Sequence, residues 1–268
     1  MLNKKLFIAE NLDTGVMVKP FLGGQVVVYT TRAPDKTSDN EDAAAVFALD
    51  QRNGLLVVAD GLGGLPSGQQ ASATAINTLD TTLSACDNPE ALRDCILNGI
   101  EAANQEIIQI GVGAATTLAM VEISDQTMRS YHVGDSMILL CGQRGRLKQQ
   151  TISHSPVGYA LESGMLDEAE AMHHEDRHIV SNIVGAAEMR IEMGPAVPLA
   201  QRDTVCIASD GLFDNLQVPE IVEIIRSGPL QNAMTKLVSL CQQRMGGSQD
   251  ASVPSKPDDL TVILYRPV

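Results

Sequence analysis

Short runs of Val, Ile, Leu and Ala, each bounded by Gly, Asn or Asp, recur along the chain. Runs of this length and composition predict buried β-strands. The predicted strands cover residues 43–49, 55–59, 117–123, 128–133, 137–141, 204–208 and 261–265. Because these segments cluster and do not alternate strictly with helices, they favour antiparallel sheets over a doubly wound parallel sheet.

Helical periodicity is found in four further stretches, residues 67–83, 89–110, 219–225 and 230–244. In the second stretch, apolar residues recur every three or four positions and define one face. That face consists of Leu92, Ile96, Ile100, Ala103, Ile107 and Ile110. Pro66 stands just before the first stretch, at a position that favours the start of a helix. The pattern as a whole predicts an α+β layered fold with antiparallel sheets flanked by helices.

Residues 154–178 differ from the rest of the chain. They contain Gly158, Gly164, three His residues within six positions and a run of acids, with weak periodicity. Such a segment predicts a mobile flap inserted beside the core. We therefore expect one domain over residues 1–268, with a flap subdomain at about residues 154–178.

Composition and charge narrow the classes of partner. The 268 residues are 44% hydrophobic, and 19 Lys and Arg against 33 Asp and Glu give a net charge of −14. A surface this acidic repels phosphate backbones and anionic lipids, which argues against nucleic-acid and membrane partners. The five Cys residues include no C-x-x-C pair, which predicts reduced thiols without a zinc site or disulfide. With no secretory pattern and no apolar stretch of about 18 residues, we expect a cytoplasmic monomer.

Acidic residues stand at one end of five predicted strands. They are Asp42 with Glu41, Asp60, Asp135, Asp210, and Asp258 with Asp259. Taken one at a time, such acids are common because loops are polar. Their repetition, with Gly next to Asp60, Asp135 and Asp210, points instead to strand ends that converge on one site.

Converging carboxylates require cations, because two of them about 4 Å apart repel by about 4 kcal/mol at an effective dielectric constant of about 20. Oxygen ligands of this kind select Mg²⁺ or Mn²⁺ over zinc. Two such ions would hold a water, lower its pKa and orient it on a phosphorus atom. The pattern therefore predicts phosphoester hydrolysis.

Six ordered sequence blocks match one protein family. They are Asn40-Glu41-Asp42-Ala43; Val58-Ala59-Asp60-Gly61-Leu62-Gly63-Gly64, followed by Gly68 and Ala71-Ser72; Ala115-Thr116-Thr117-Leu118; Val133-Gly134-Asp135-Ser136; Ser209-Asp210-Gly211-Leu212-Phe213-Asp214; and Asp258-Asp259-Leu260-Thr261. With these blocks, the chain resembles the metal-dependent protein phosphatases of the 2C type in their bacterial form. The blocks follow the family's order and span Asn40 to Thr261, which chance does not explain.

The resemblance implies a sandwich of two antiparallel β-sheets flanked by helices, with a flap insertion and metals at one end. It implies that Asp60 bridges two ions, that the Gly61 carbonyl binds one of them, and that Asp210 and Asp258 hold the other. A metal-bridging water would attack phosphoserine or phosphothreonine in proteins, without a covalent enzyme intermediate. The cofactors would be Mg²⁺ or Mn²⁺, two or three ions. The partners would be a phosphoprotein substrate and a cognate serine/threonine kinase.

The resemblance also implies roles for the remaining acids. Glu41 and Asp42 would bind metal-coordinated waters. Asp135 and Asp214, together with Asp210, would form a weaker third metal site. The flap would lie beside the active site.

The chain departs from the family pattern at the position that grips the substrate phosphate, where Thr37 replaces the usual Arg. Lys36 and Arg32 are the neighbouring cations and become candidate catalytic residues, although Lys lacks the bidentate fork of Arg. A solvated loop lysine is the alternative for Lys36. His154 is a candidate proton donor to the leaving oxygen, and a loop histidine without catalytic role is the alternative.

The leading hypothesis is an active Mg²⁺- or Mn²⁺-dependent serine/threonine phosphatase. The absence of the phosphate-binding Arg motivates an alternative, a phosphatase-like module that binds or regulates a phosphoprotein with weak catalysis. A regulatory phosphatase of one anti-anti-sigma-type substrate would use the same chemistry, and the sequence does not separate it from a broad phosphatase.

Overall fold

Two antiparallel β-sheets form the centre of the computed structural model, which describes residues 4–62, 67–86, 88–111, 113–247 and 254–268. Within these residues the first sheet has the strand order β1-β4-β5-β7-β8-β11, with β6 paired to β5 and β12 paired to β8. Its strands are β1 (Lys4–Glu10), β4 (Asp42–Ala48), β5 (Asn53–Leu62), β6 (Ala115–Thr116), β7 (Leu118–Ser124), β8 (Thr127–Val133), β11 (Glu192–Met193) and β12 (Val197–Pro198).

The second sheet has the order β10-β9-β13-β14-β3-β2 in the described part of the chain. Its strands are β2 (Thr14–Phe21), β3 (Gly24–Thr31), β9 (Met137–Cys141), β10 (Leu147–Gln150), β13 (Thr204–Ala208) and β14 (Leu260–Pro267). All strand pairs in both sheets are antiparallel. The expectation of antiparallel sheets is therefore confirmed.

Helices cover the sheets and occupy part of the segment between β10 and β11. They are α1 (Ser67–Ser84), α2 (Leu92–Ile110), α3 (Pro156–Glu162), α4 (Glu168–Met172), α5 (Asp210–Phe213), α6 (Val218–Ile225) and α7 (Leu230–Met245), with 3-10 turns at Pro89–Ala91 and Glu175–His178. Among the described residues, no helix has the length and apolar character to cross a bilayer. The expected role of Pro66 at the start of α1 lies outside the described residues.

Three buried clusters within the described residues make the molecule four layers thick, with helices outside and the two sheets inside. Successive residues of β5 face opposite layers: Val57 packs in the cluster of α1 and α2, and Val58 packs between the sheets. In the same way Val262 of β14 faces the helices α5 to α7, and Ile263 faces the other sheet. Strands buried on both faces read as unbroken apolar runs, which is why they could be found in the sequence. The sandwich flanked by helices is confirmed.

One expectation about the cysteines is wrong. Cys86 and Cys95 are joined in a disulfide with a Cα–Cα distance of 6.1 Å. The turn between α1 and α2 brings the two residues within the Cα separation that a disulfide needs. Sequence spacing alone did not reveal this, because the pairing depends on the angle between the two helices. Among the described residues, Cys141, Cys206 and Cys241 are free and buried, as predicted.

Candidate metal centre

The two sheets meet at the strand ends that carry the acids. Asp42 of β4 lies directly opposite Asp60 of β5 in the antiparallel register. Ser209, between β13 and α5, donates its hydroxyl to Asp42 Oδ2 at 2.8 Å and accepts the Thr261 N–H of β14 at 3.0 Å. This bridge ties the acid of the first sheet to the edge of the second sheet from which Asp210 begins α5.

Two glycines allow the backbone to pack closely at this junction. The Gly61 N–H donates to the Glu41 carbonyl at 3.2 Å. A Cβ added at Gly61 would collide with the carbonyl of Gly68, and one added at Gly68 would lie 2.6 Å from Glu41 Oε1. The glycines are therefore required for the strand end and the start of α1 to approach each other. Gly63 and Gly64 of the same sequence block lie outside the described residues.

Asp135 reaches the cluster from a tight turn after β8. Gly134 adopts a φ of +106°, and a Cβ there would lie 2.7 Å from the Thr117 side chain. A residue with a side chain is disfavoured at this φ, so the Gly-Asp pair sets the direction in which Asp135 leaves the strand. A cavity of about 130 Å³ is lined by Asp135, Asp210 and Asp214 on one side. The residues on its other side come from the segment between β10 and β11 and include Val157, Leu161, Met172 and Arg177.

The carboxylates at the junction lie close enough to repel one another. Burial, followed by repulsion from Asp42 and Asp210, raises the pKa of Asp60 well above its ordinary value. Burial and repulsion from Asp210 raise the pKa of Asp135 to about 8 and that of Asp258 to about 7. Carboxyl groups in such surroundings are stabilised by a proton or by a cation.

Two buried carboxylate oxygens lack a hydrogen-bond partner among the described residues, Glu41 Oε1 and Asp42 Oδ1. A buried acceptor without a donor is costly, and a cation or its hydrating waters would supply what is missing. The donor set consists of carboxylate and carbonyl oxygens, which suits Mg²⁺ and Mn²⁺. The residues present therefore fit a site for divalent ions.

Two lysines were not expected in contact with these acids. Lys256 Nζ lies 2.6 Å from Asp210 Oδ2, 2.7 Å from Asp214 Oδ2 and 3.1 Å from Asp258 Oδ2. Lys256 was not predicted from the sequence, where its position two residues before Asp258 is the only signal.

Lys36 is the second of these lysines. Lys36 Nζ donates to Glu41 Oε2 at 2.9 Å and to Asp259 Oδ2 at 2.6 Å. Burial lowers the pKa of Lys36, but the hydrogen bonds to Asp259 and Glu41 outweigh it, and the pKa is raised. A lysine held by two carboxylates is not the solvated loop residue that was the alternative. Arg32 is held elsewhere, since its Nε donates to Asp13 Oδ2 at 2.7 Å.

His154 is only 4% exposed and contacts the turn that carries Asp135. Its Nδ1 accepts the Gly134 N–H at 3.1 Å and the Asn182 side-chain N–H at 2.9 Å, so the proton of the neutral ring is on Nε2. Nε2 faces Glu192 Oε2 at 3.1 Å. His132 stacks on the ring with centroids 4.3 Å apart, and these two histidines with Glu192 have the spacing of a metal site. The tautomer of His154 leaves no lone pair for an ion there, so the cluster is a hydrogen-bonded support for Gly134.

Comparison with known proteins shows which family the chain belongs to. The family model described as protein phosphatase 2C matches residues 32–248, which contain five of the six sequence blocks and reach most of the site. The chain belongs to the protein phosphatase 2C family. The resemblance inferred from the sequence and the expectation of a serine/threonine phosphatase are thereby confirmed.

Individual members of the protein phosphatase 2C family agree with this. The chain is 29% identical to protein phosphatase PhpP of Streptococcus pneumoniae over 226 residues, which are 81% of this chain and 91% of that protein. The Streptococcus agalactiae serine/threonine phosphatase structure superposes with a TM-score of 0.78 at 26% identity, covering 91% of this chain and 99% of that one. The catalytic domain of the phosphatase PstP, solved in complex with two manganese ions, shares the fold with a TM-score of 0.68 at 22% identity, covering 90% and 96%.

Proposed function

We propose that this protein phosphatase 2C hydrolyses phosphoserine and phosphothreonine esters of proteins with Mg²⁺ or Mn²⁺ ions held by Asp60, the Gly61 carbonyl, Asp210 and Asp258. The observation that carries the proposal is the convergence of acids from β4, β5, α5 and β14 at one end of the sandwich. Repulsion among the acids and the raised pKa of Asp60 make that end a cation site. The activity of the named relatives agrees with this assignment.

The remaining acids prepare the site. Asp42 is held by the Ser209 hydroxyl through Oδ2, and its buried Oδ1 has no hydrogen-bond partner among the described residues. That oxygen would accept a hydrogen bond from a water that hydrates the ions. Glu41 is held by Lys36 through Oε2 and leaves Oε1 in the same state. The loaded site supplies activation of a water for in-line attack on phosphorus.

Lys36 is the better candidate of the two cations for contact with the substrate phosphate, because it borders Glu41 while Arg32 is tied to Asp13. Its ammonium is shared between two carboxylates, so its grip on a phosphate is weaker than that of a free Arg. His154 as a proton donor stays a prediction, as do the cytoplasmic location, the monomeric state and the cognate kinase. The flap at about residues 154–178 would cover the site, in line with the cavity that it shares with Asp135 and Asp214.

The test is hydrolysis of a phosphothreonine peptide in Mn²⁺ and in EDTA. Asp210→Asn removes one carboxylate charge at almost unchanged volume, and we expect it to abolish turnover with an unchanged circular dichroism spectrum. Asp125→Asn is the matched control, because Asp125 pairs only with exposed Arg52 at 3.3 Å among the described contacts. Equal Mn²⁺-dependent rates for the two variants, or hydrolysis that EDTA leaves intact, would reject the assigned site.

A phosphoprotein-binding module with weak catalysis is the second candidate. It is favoured by one observation, the exposed Thr37 next to a Lys36 whose ammonium is already bound by two carboxylates. Thr37→Arg should then raise turnover many-fold and lower the KM for phosphopeptide. If Thr37→Arg leaves the rate of phosphopeptide hydrolysis unchanged, the wild-type enzyme does not lack a phosphate-binding group. That result would exclude the binding module with weak catalysis.

A further inference from the structure

The Lys256 ammonium is completely coordinated by acids of the candidate metal centre. An ammonium has three N–H donors, and three carboxylate oxygens lie within 3.1 Å of Nζ. The two shortest contacts are to Asp210 and Asp214. These two acids belong to the set, with Asp135, from which the family resemblance implies a third metal site.

The backbone of Lys256 is held in place independently of its charge. The Asn215 side chain is fully buried, accepts the Lys256 N–H at 2.9 Å and donates to the Lys256 carbonyl at 2.8 Å. The same side chain donates to the Gly211 carbonyl of α5 at 2.9 Å. Because Asn215 directly follows Asp214, one amide fixes the distance between Lys256 and the acids that it binds. The backbone contacts with Asn215 therefore hold the Lys256 ammonium next to the acids of the site.

The contacts of Lys256 leave room for other ions. Each contact uses an Oδ2 atom, so the Oδ1 atom of Asp210 is not bonded by the ammonium. Among the described contacts, Lys256 makes none with Asp60 or Asp42. Because Lys256 is covalently linked to the chain that carries these acids, its ammonium has an effective concentration of about millimolar or more at the site. A weakly bound free ion has to compete with this concentration.

We propose that Lys256 fills the third cation position with its own ammonium, so that the enzyme takes up two divalent ions instead of three. This inference rests on the proposed function, since it concerns the same acids. It follows that activation by Mn²⁺ is complete when the second ion is bound, and that no further activation occurs at higher Mn²⁺ concentration.

The experiment counts Mn²⁺ ions per chain by equilibrium dialysis from micromolar to about 10 mM Mn²⁺, with metal analysis of the protein compartment. Lys256→Met keeps the length of the side chain and removes its charge, while Lys256→Arg keeps the charge. Lys148→Met is the matched control, because Lys148 forms a similar partly buried pair with Asp203 away from these acids. We expect two ions for the wild type, Lys256→Arg and Lys148→Met, and three for Lys256→Met.

Thermal unfolding gives a second readout that does not depend on turnover. In EDTA, Lys256→Met should unfold at a lower temperature than the wild type, because three acids lose the cation they share. Mn²⁺ should remove this difference in unfolding temperature. Three ions in the wild type overturn the inference and leave the proposed function intact. Two ions in Lys256→Met, bound more tightly than in the wild type, also overturn it, since Lys256 would then compete with the principal ions. No bound Mn²⁺ in any variant defeats the proposed function as well.

Discussion

Removing divalent ions should make the stability of this protein depend on pH in a direction unusual for carboxylates. In the metal-free fold the pKa of Asp135 is about 8, that of Asp258 about 7 and that of Asp214 about 6, against an ordinary value of 3.8, because of burial and mutual repulsion. Between the ordinary pKa and these raised pKa values, the folded chain holds more protons than the unfolded chain. The stabilisation is therefore complete below about pH 4 and is lost progressively as the pH rises from there to about 8.

The size of the effect follows from Asp135, whose side chain is largely buried. One proton held by the folded state alone changes the free energy of unfolding by about 1.4 kcal/mol per pH unit. From about pH 5 to about pH 7.5, Asp135 by itself then lowers the stability by about 3 kcal/mol. The partial titration of Asp214 and Asp258 in the same interval adds to this loss.

Urea unfolding at fixed pH values in EDTA measures this slope, and a parallel series in Mn²⁺ gives the comparison. With Mn²⁺ the loss should disappear, because the ions take over the neutralisation of the acids. Asp135→Asn should flatten the EDTA series, while Asp125→Asn should leave it unchanged because Asp125 is exposed. A metal-free stability that stays level or rises from pH 5 to 7.5 would show that these acids are not packed together as described.

Three substitutions test the surrounding structure. Ile100→Ala opens a cavity in the cluster between α2 and the first sheet, and should lower the free energy of urea unfolding by about 2–5 kcal/mol. Tyr131→Phe leaves the Glu122 carboxylate without the hydroxyl that contacts it at 2.6 Å, and should cost about 1–3 kcal/mol in the same assay. Gly134→Ala forces a Cβ against Thr117 at positive φ, and should raise the Mn²⁺ concentration for half-maximal activity; an unchanged activation curve would refute the role of this turn.

The layers of the fold could be predicted from the sequence because burial on both faces leaves unbroken apolar runs. The helix face from Leu92 to Ile107 is buried as its spacing indicated. The prediction contained no strand before residue 43, although β1, β2 and β3 lie there. In β2 polar and apolar positions are mixed, because β2 is an edge strand. In β3 the apolar run Val26-Val27-Val28 does indicate a buried strand, but this strand was not predicted.

Asp42, Asp60, Asp135, Asp210 and Asp258 could be found because each lies at or near one end of a strand, and the sheet topology brings those ends together. Asp214 follows α5 and was named only through the family resemblance. Lys256 could not be assigned in this way, because its contact with Asp210 and Asp214 depends on Asn215 holding the chain before β14. The burial of His154 and the disulfide between Cys86 and Cys95 likewise depend on how separate segments of the chain pack against each other. Local patterns carry no information about such contacts.

We expect acids from both sheets to form one site for two divalent ions, with Lys256 beside it. A crystal structure of the wild-type protein grown in Mn²⁺, with anomalous scattering data collected at the manganese edge, tests this directly. We predict two anomalous peaks among Asp60, Gly61, Asp210 and Asp258, with Lys256 Nζ still in contact with Asp214. Peaks on another face of the molecule, or none in millimolar Mn²⁺, would contradict the account.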